Sequence, residues 1–573
     1  MSADRTASWR ETAAWVVLGV AGVFCATLLV LMLASVVQMR NAPPLDTPEL
    51  QALRELVRQQ PEHEGLQAQV QALDLLARRA HFAGGNALRV GSGMLLAGLA
   101  VVLGAAHVLR ESRVGVHAPA KADDAAAADT THASRRALLG VLGVIVLLAL
   151  LIPLLRNGPP GGRALPGTEM SGTSGGARPP GGPDSAPSTP CLWPNFRGPG
   201  GLGVAVDVDP PLGWDGTTGS NILWRTEVPR VGFSSPIVCG NRVFLSGGDA
   251  TLREVYCFDA DDGSLQWRHP VTGIAGSSDK LPDVTDDTGY AAPTMAGAGG
   301  RVFALFATGD VVALDHAGER LWARFLGQPD NPYGHASSLI VFEDLLLIQL
   351  DDNRGGRLEA LNVADGTTAW QVERDVEGPC WSSPVLMQTA RGPELILNGN
   401  PSIAGYDPRS GALRWSDECM SGEVAVSAAT TDDIIFIANE YAVLVALRVT
   451  DGPERLWEYD EDLPDVASPV AGAGCLFVPT SYGLLTCFDA ATGSQHWSHE
   501  FDEGFYASPV LAAGRIYLVD MEGVMHVIKA GTTFELLASN PLGERATSTS
   551  AFVGDRIYIR GAKHLVCIGA ARE

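Results

Sequence analysis

The sequence predicts an all-β eight-bladed propeller preceded by an α-helical membrane region with three transmembrane helices. Three observations predict it. Tryptophan recurs near the end of a repeated unit, at Trp224, Trp267, Trp322, Trp370, Trp415, Trp457 and Trp497, at intervals of 43, 55, 48, 45, 42 and 40 residues. Short apolar runs with Gly turns fill each interval, and a period of 40 to 50 without a long helical pattern is the signature of propeller blades. Three long apolar runs precede the first unit, and a chain of 573 residues has room for both modules.

Residues 1–155 form the predicted membrane region. Its apolar runs lie at about 13–37, 90–109 and 137–155, each long enough to cross a hydrocarbon core of roughly 30 Å. Arg5 and Arg10 precede the first run, and Arg110, Arg113, Lys121, Arg135 and Arg136 separate the second from the third. By the positive-inside rule these flanks are cytoplasmic, which places the C-terminal part outside. The apolar spacing of Leu66, Val70, Leu73 and Ala77, with Pro61 as a breaker, predicts a helical hairpin over 46–82. Residues 156–190 are rich in Gly, Pro and Ser and read as a linker.

Residues 191–573 carry the repeat. Units open on small residues, often before Pro, as in Ser234-Ser235-Pro236, Ser382-Ser383-Pro384, Ala467-Ser468-Pro469 and Ala507-Ser508-Pro509. A third strand ends in Asp or Asn (Asp259, Asp315, Asn362, Asp407, Asp489), and a Gly turn leads to the strand that bears the Trp. Seven complete units begin near Ser234, Ala291, Ala336, Ser382, Val426, Ala467 and Ala507. An eighth begins at Ser548 and lacks its fourth strand. Residues 221–225, NILWR, supply it from the other end, which closes the ring and removes free edges. The count is eight blades, with seven as the other count. The tryptophans are assigned to docking blade on blade.

The net charge is −24, and from Cys191 onward 51 acidic residues face 25 basic ones. A strongly acidic domain repels phosphate backbones, which argues against nucleic acid as a partner. The residues just before the innermost strands are Phe233, Tyr290, His335, Trp381, Glu423, Asp465 and Tyr506. Aromatics, two acids and one His at a concave channel mouth predict a ligand or peptide site. The same residues could instead fill the channel as structure. The insertion 273–290, with Asp279, Asp283, Asp286 and Asp287, is expected to fold near this mouth. An extracytoplasmic domain permits disulfides. Cys380 with Cys419, at loops entering and leaving one blade, and Cys475 with Cys487, on neighbouring strands, are the candidate pairs, the alternative being buried thiols. No metal set is assigned.

The repeated Asp-x-x-Thr-Gly-x-x-x-Trp pattern, clearest at Asp489–Trp497, resembles the quinoprotein-type, PQQ-binding-like propeller repeat. That family includes the propellers of pyrroloquinoline-quinone (PQQ) alcohol dehydrogenases and BamB. The opening Trp193-Pro-Asn-Phe-Arg197-Gly-Pro199, with Trp214 and Trp224, is similar to PQQ-binding-like proteins of bacterial envelopes. The resemblance covers Trp193 to Gly569. Together with the apolar runs and their basic flanks, it leads to an expected anchored propeller on the periplasmic side of the bacterial inner membrane that binds envelope proteins or peptides without catalysis. It also implies two other readings: a PQQ-dependent oxidoreductase with a divergent site, and a sensor for a small ligand at the mouth. The dehydrogenases use an adjacent Cys-Cys disulfide and a bound calcium. This sequence has no Cys-Cys pair, no Cys-x-x-Cys-His for haem and no matching calcium or base motif, so neither a cofactor nor catalytic residues are assigned.

Overall fold

In the computed structural model the described residues are 190–570, except 279, 441 and 451, together with 21, 22, 24, 25, 27 and 28. The chain divides into two compact units, Met1–Pro183 and Asp184–Glu573. Among the described residues no helix is long and apolar enough to cross a membrane. The three expected spans, the hairpin 46–82 and the linker 156–190 lie outside the described residues, apart from Pro190 and six helical residues within the first span.

The second unit is an all-β propeller of eight sheets, each built on four antiparallel strands, in sequence order in the first seven. Blade 6, for example, runs Val470–Gly472, Cys475–Pro479, Leu484–Asp489 and Gln495–Glu500 from its inner to its outer edge. Three strands precede the first innermost strand: β1 (Cys191–Trp193), β2 (Val204–Ala205) and β3 (Ile222–Glu227). β3 is the outermost strand of blade 8, antiparallel to His564–Ile568, so both ends of the chain complete one sheet as the sequence predicts. The innermost strand of blade 8 also touches that of blade 1, β4 (Ile237–Cys239), and the circle is closed. β1 adds a fifth strand to blade 1, against β4, and β2 adds a fifth to blade 7, parallel to Val510–Ala512.

The core lies between blades. One cluster joins Phe436 and Ala446 of blade 5 to Leu476 and Phe488 of blade 6. Another joins Phe477 and Cys487 of blade 6 to Ile516 and Ile528 of blade 7. Each sheet is therefore covered on both faces, which is why its inner strands are apolar on both sides.

The repeated turn makes the same seam from outside. Trp224 Nε1 donates to Ala260 O at 3.1 Å, Trp267 to His316 O at 2.9 Å, Trp322 to Val363 O at 3.1 Å, Trp457 to Ala490 O at 3.1 Å and Trp497 to Gly531 O at 3.0 Å. In the first four cases the acceptor directly follows the Asp or Asn that ends the third strand of the next blade. The turn Gly faces the same indole. Gly493 has φ 72°, and a Cβ there would sit 2.5 Å from Trp457. Trp370 lies likewise over Gly411, but Trp415 donates within its own blade, to Glu394 Oε1 at 3.2 Å.

Candidate functional site at the channel

Seven of the eight innermost strands are approached through one of the mouth residues, and each of the eight follows a buried Ser or Thr. The hydroxyls form a belt. Ser235 N–H donates to Thr294 Oγ1 at 2.9 Å, Thr294 to Ser338 at 3.1 Å, Ser338 to Ser383 at 3.0 Å and Ser383 to Ser427 at 2.8 Å. Ser427 donates to Ser468 at 2.9 Å, Ser468 to Ser508 at 3.0 Å and Ser508 to Thr549 at 2.9 Å. Strand starts cannot pair laterally around a ring, so each buried amide takes its partner from the next blade's side chain. The small residues that open the units have this role, and the sequence pattern did not disclose it.

Beyond the belt, the segment 194–203 crosses the channel. Arg197 is fully buried. Its Nη1 donates to Ala428 O of blade 5 at 2.9 Å, and its Nη2 donates to Pro469 O of blade 6 and to Leu202 O. Burial pulls its pKa down to about 9. Arg197 (φ 59°), Gly198, Gly200, Gly201 and Gly203 are all left-handed, a backbone path that explains the glycine run. A Cβ on Gly201 would lie 3.2 Å from Pro384 O, and Leu511 N–H donates to Gly203 O at 2.8 Å. One segment thus touches the inner strands of blades 4, 5, 6 and 7.

At the opposite end stand the seven mouth residues, in three situations. Phe233, Tyr290 and His335 are tied into backbone. Phe233 N–H donates to Ala291 O at 3.0 Å, and its own carbonyl accepts from Ser548 Oγ. Tyr290 OH donates to Pro282 O at 3.3 Å in the insertion. His335 is buried, has Nε2 3.1 Å from Gly327 O, and is pushed down to about 4 by desolvation, so it is neutral at pH 7. Trp381 and Glu423 are brought together by a residue the sequence reading missed, Tyr333. Its ring centroid lies 4.2 Å from that of Trp381, and its hydroxyl donates to Glu423 Oε2 at 3.0 Å. These three side chains are half-buried. Tyr333 does not precede a small-residue strand start, so the repeat could not reveal it. Asp465 and Tyr506 are the remaining pair. Asp465 Oδ1 accepts from Ser481 N–H at 3.3 Å, and burial raises its pKa.

The cysteine pairs need correction. Cys380, Cys419, Cys475 and Cys487 are free thiols, and the disulfide is Cys191–Cys239. Cys475 faces Asp489 and Cys487 faces Phe477 in the ladder, so the two cysteines are diagonal neighbours. Their thiols stand within hydrogen-bond reach of one another but are not bridged. Cys380 precedes the inner strand of blade 4 and Cys419 follows its outer strand. Those edges are about 14 Å apart. Cys380 Sγ instead donates to Asn398 O at 3.1 Å. Cys191 and Cys239 stand directly opposite in β1 and β4, but Cys191 precedes the repeat, and no spacing rule links it to blade 1.

Calcium takes six to eight oxygen ligands. Among the described residues the group of three or more His, Cys, Asp or Glu donors close enough to share a cation is Cys191, Cys239 and His316, which is not such a set. Among the described residues, Asp283, Asp286 and Asp287 of the insertion do not form one either; Asp279 lies outside them.

The family described as outer membrane protein assembly factor BamB matches residues 204–339, 334–462 and 443–571. The chain is 26% identical over 326 residues to the outer membrane protein assembly factor BamB of Salmonella typhimurium, covering 55% of this chain and 76% of that protein. With the Escherichia coli K12 protein of the same name it shares 24% over 316 residues, 53% of this chain and 74% of that one. Among solved structures, BamB from Moraxella catarrhalis superposes with a TM-score of 0.47 at 14% identity, over 61% of this chain and 97% of that chain. A europium-containing methanol dehydrogenase gives 0.45 at 13%, over 66% and 91%.

Proposed function

This chain belongs to the PQQ-like propeller family described as outer membrane protein assembly factor BamB, and we propose that it is a binding scaffold of the bacterial cell envelope, without catalysis. In this reading residues 1–155 anchor it in the inner membrane by three spans, and the propeller stands on the periplasmic side. Its partners are envelope proteins or peptides that engage the channel mouth.

The observation that carries this reading is the Trp381–Tyr333–Glu423 cluster. Its two tilted aromatic rings, in contact, and one carboxylate are half-buried at the mouth, while the opposite end is spanned by backbone. Aromatic side chains at a concave rim supply contact area at low entropic cost, and a neighbouring carboxylate selects for basic or amide groups. The curated relatives named above are assembly factors by name, which agrees with a role in protein contacts.

A photo-crosslinking residue placed at Trp381 or Tyr506 in cells tests it. We expect discrete protein adducts from these positions and none from Gln266 on the exposed outer strand of blade 1. Equal or absent adducts would overturn the mouth as the contact surface. Incubation with PQQ and calcium tests the oxidoreductase reading, which predicts saturable binding and dye reduction by an alcohol or sugar. Thiol labelling of cysteines engineered into 157–190 tests orientation, and labelling only after lysis would reverse it.

A further inference from the structure

We infer that Cys191, Cys239 and His316 form a redox-convertible metal site that takes one copper(I) ion when the Cys191–Cys239 disulfide is reduced. Three observations meet here. The two sulfurs and a ring nitrogen of His316 lie within 4.8 Å of one another. His316 Nε2 is buried and makes no hydrogen bond. The imidazole is also held in place: its ring centroid is 5.3 Å from that of Phe244, and its backbone carbonyl accepts from Trp267 Nε1 and Arg242 Nη1.

The surroundings leave room for sulfur and little else. Gly297, in the innermost strand of blade 2, faces the pair, and a Cβ there would lie 2.6 Å from Cys239 Sγ and 2.9 Å from Cys191 Sγ. β1 is pinned on either side of Cys191, by Gly240 N–H to Pro190 O at 3.0 Å and by Gly297 N–H to Pro194 O at 2.8 Å. Reduction therefore leaves the two sulfurs facing one another.

The conversion balances simply. A dithiol reductant gives two electrons and two protons to the disulfide, the S–S bond breaks, and the reductant becomes a disulfide. Binding of copper(I) then displaces both thiol protons. Two thiolates and one imidazole make a three-coordinate soft set that suits copper(I). Structural zinc ordinarily takes four ligands, and among the described residues no fourth His, Cys, Asp or Glu joins the group. The Arg242 guanidinium, bonded to the His316 carbonyl, offsets the net negative charge. In either state β1 stays fastened to blade 1, by S–S or by S–Cu–S.

The test uses the full-length chain, reduced with a phosphine under anaerobic conditions and titrated with copper(I) against bicinchoninate. Wild type should take one more tight equivalent than the Cys191→Ser/Cys239→Ser double variant, which controls for the other thiols. Oxidised wild type should lack the same equivalent. His316→Gln, which keeps the disulfide and can be checked for folding by its oxidised melting curve, should bind that copper at least tenfold more weakly. X-ray absorption should show two sulfur and one nitrogen ligands. Equal uptake by the double variant, or unchanged affinity in His316→Gln, overturns the site. Tighter, His316-dependent binding of zinc overturns the choice of cation.

Discussion

The two ends of the channel are built from opposite materials. At the end crossed by the segment 194–203, recognition groups are consumed internally: Arg197 is fully buried and spends its donors on the carbonyls of Ala428, Pro469 and Leu202. At the mouth, Trp381, Tyr333 and Glu423 pair with one another yet remain half-buried. One end is a structural keystone, and in the proposed function the other keeps side-chain surface for a partner. A substitution at the first should therefore cost stability, and one at the second should cost binding.

The sharpest way to break that contrast is Arg197→Ala. It strands the buried carbonyls of Ala428 and Pro469, frees the partly buried one of Leu202, and unties the crossing segment from blades 5 and 6. Hydrogen bonds to a charged donor are each worth about 1.5–3 kcal/mol, and part of this is offset by relief of the buried charge, so a loss of about 3–5 kcal/mol is expected. Urea unfolding followed by tryptophan fluorescence reads it. Trp381→Ala should move the same midpoint far less while abolishing mouth crosslinks. Comparable losses from both would erase the distinction between the ends.

His335 sharpens the comparison through pH, because it is the mouth residue that is buried like the opposite end. Its folded pKa of about 4 lies below the usual value near 6.5. Between these values the unfolded chain holds a proton that the folded chain does not. Stability from this residue is therefore full above about pH 6.5 and is lost as pH falls toward 4, by up to about 3 kcal/mol. His335→Gln should flatten that acid limb in unfolding curves taken from pH 7 to 4.5. An unchanged limb would show that His335 is solvated.

The outer seam stands between these cases. Gly493→Ala forces a Cβ into the Trp457 indole at a left-handed backbone position. A cost of about 2–3 kcal/mol is expected, combining strain at positive φ with displaced packing. The melting temperature and the Trp457 fluorescence environment check it.

What was legible in the sequence follows from what repeats. The Trp and turn-Gly seam recurs in most blades because each meets a like neighbour, so its period shows in one chain. The closing strand was legible because the eighth unit lacks a fourth strand and Ile222–Glu227 lacks a sheet of its own. The crossing segment was not, because Arg197 and Cys191 act once each and their partners lie far along the chain, at Ala428 and Cys239. The repeat named candidate mouth positions but not the grouping of Trp381 and Glu423, since Tyr333 reaches Glu423 across ninety residues. Single, long-range contacts leave no period.

The belt is the place where repetition was visible and its meaning was not, and it predicts the smallest effect. Ser468→Ala keeps the size and the apolar packing of the strand start but removes the acceptor of Ser427 N–H. That amide is buried and has no water to turn to, so the cost is about 1–2 kcal/mol, the price of one unsatisfied donor. Ser468→Thr keeps the acceptor and should recover most of it. Amide exchange at Ser427 gives the local readout: it should quicken in Ser468→Ala and return toward wild type in Ser468→Thr. If the belt were only a row of small residues, alanine would serve as well as serine and exchange would not change. The seven linked amides make the stronger claim that the hydroxyl, which the strand starts share across blades with and without a following proline, is what holds the inner edge of the ring together.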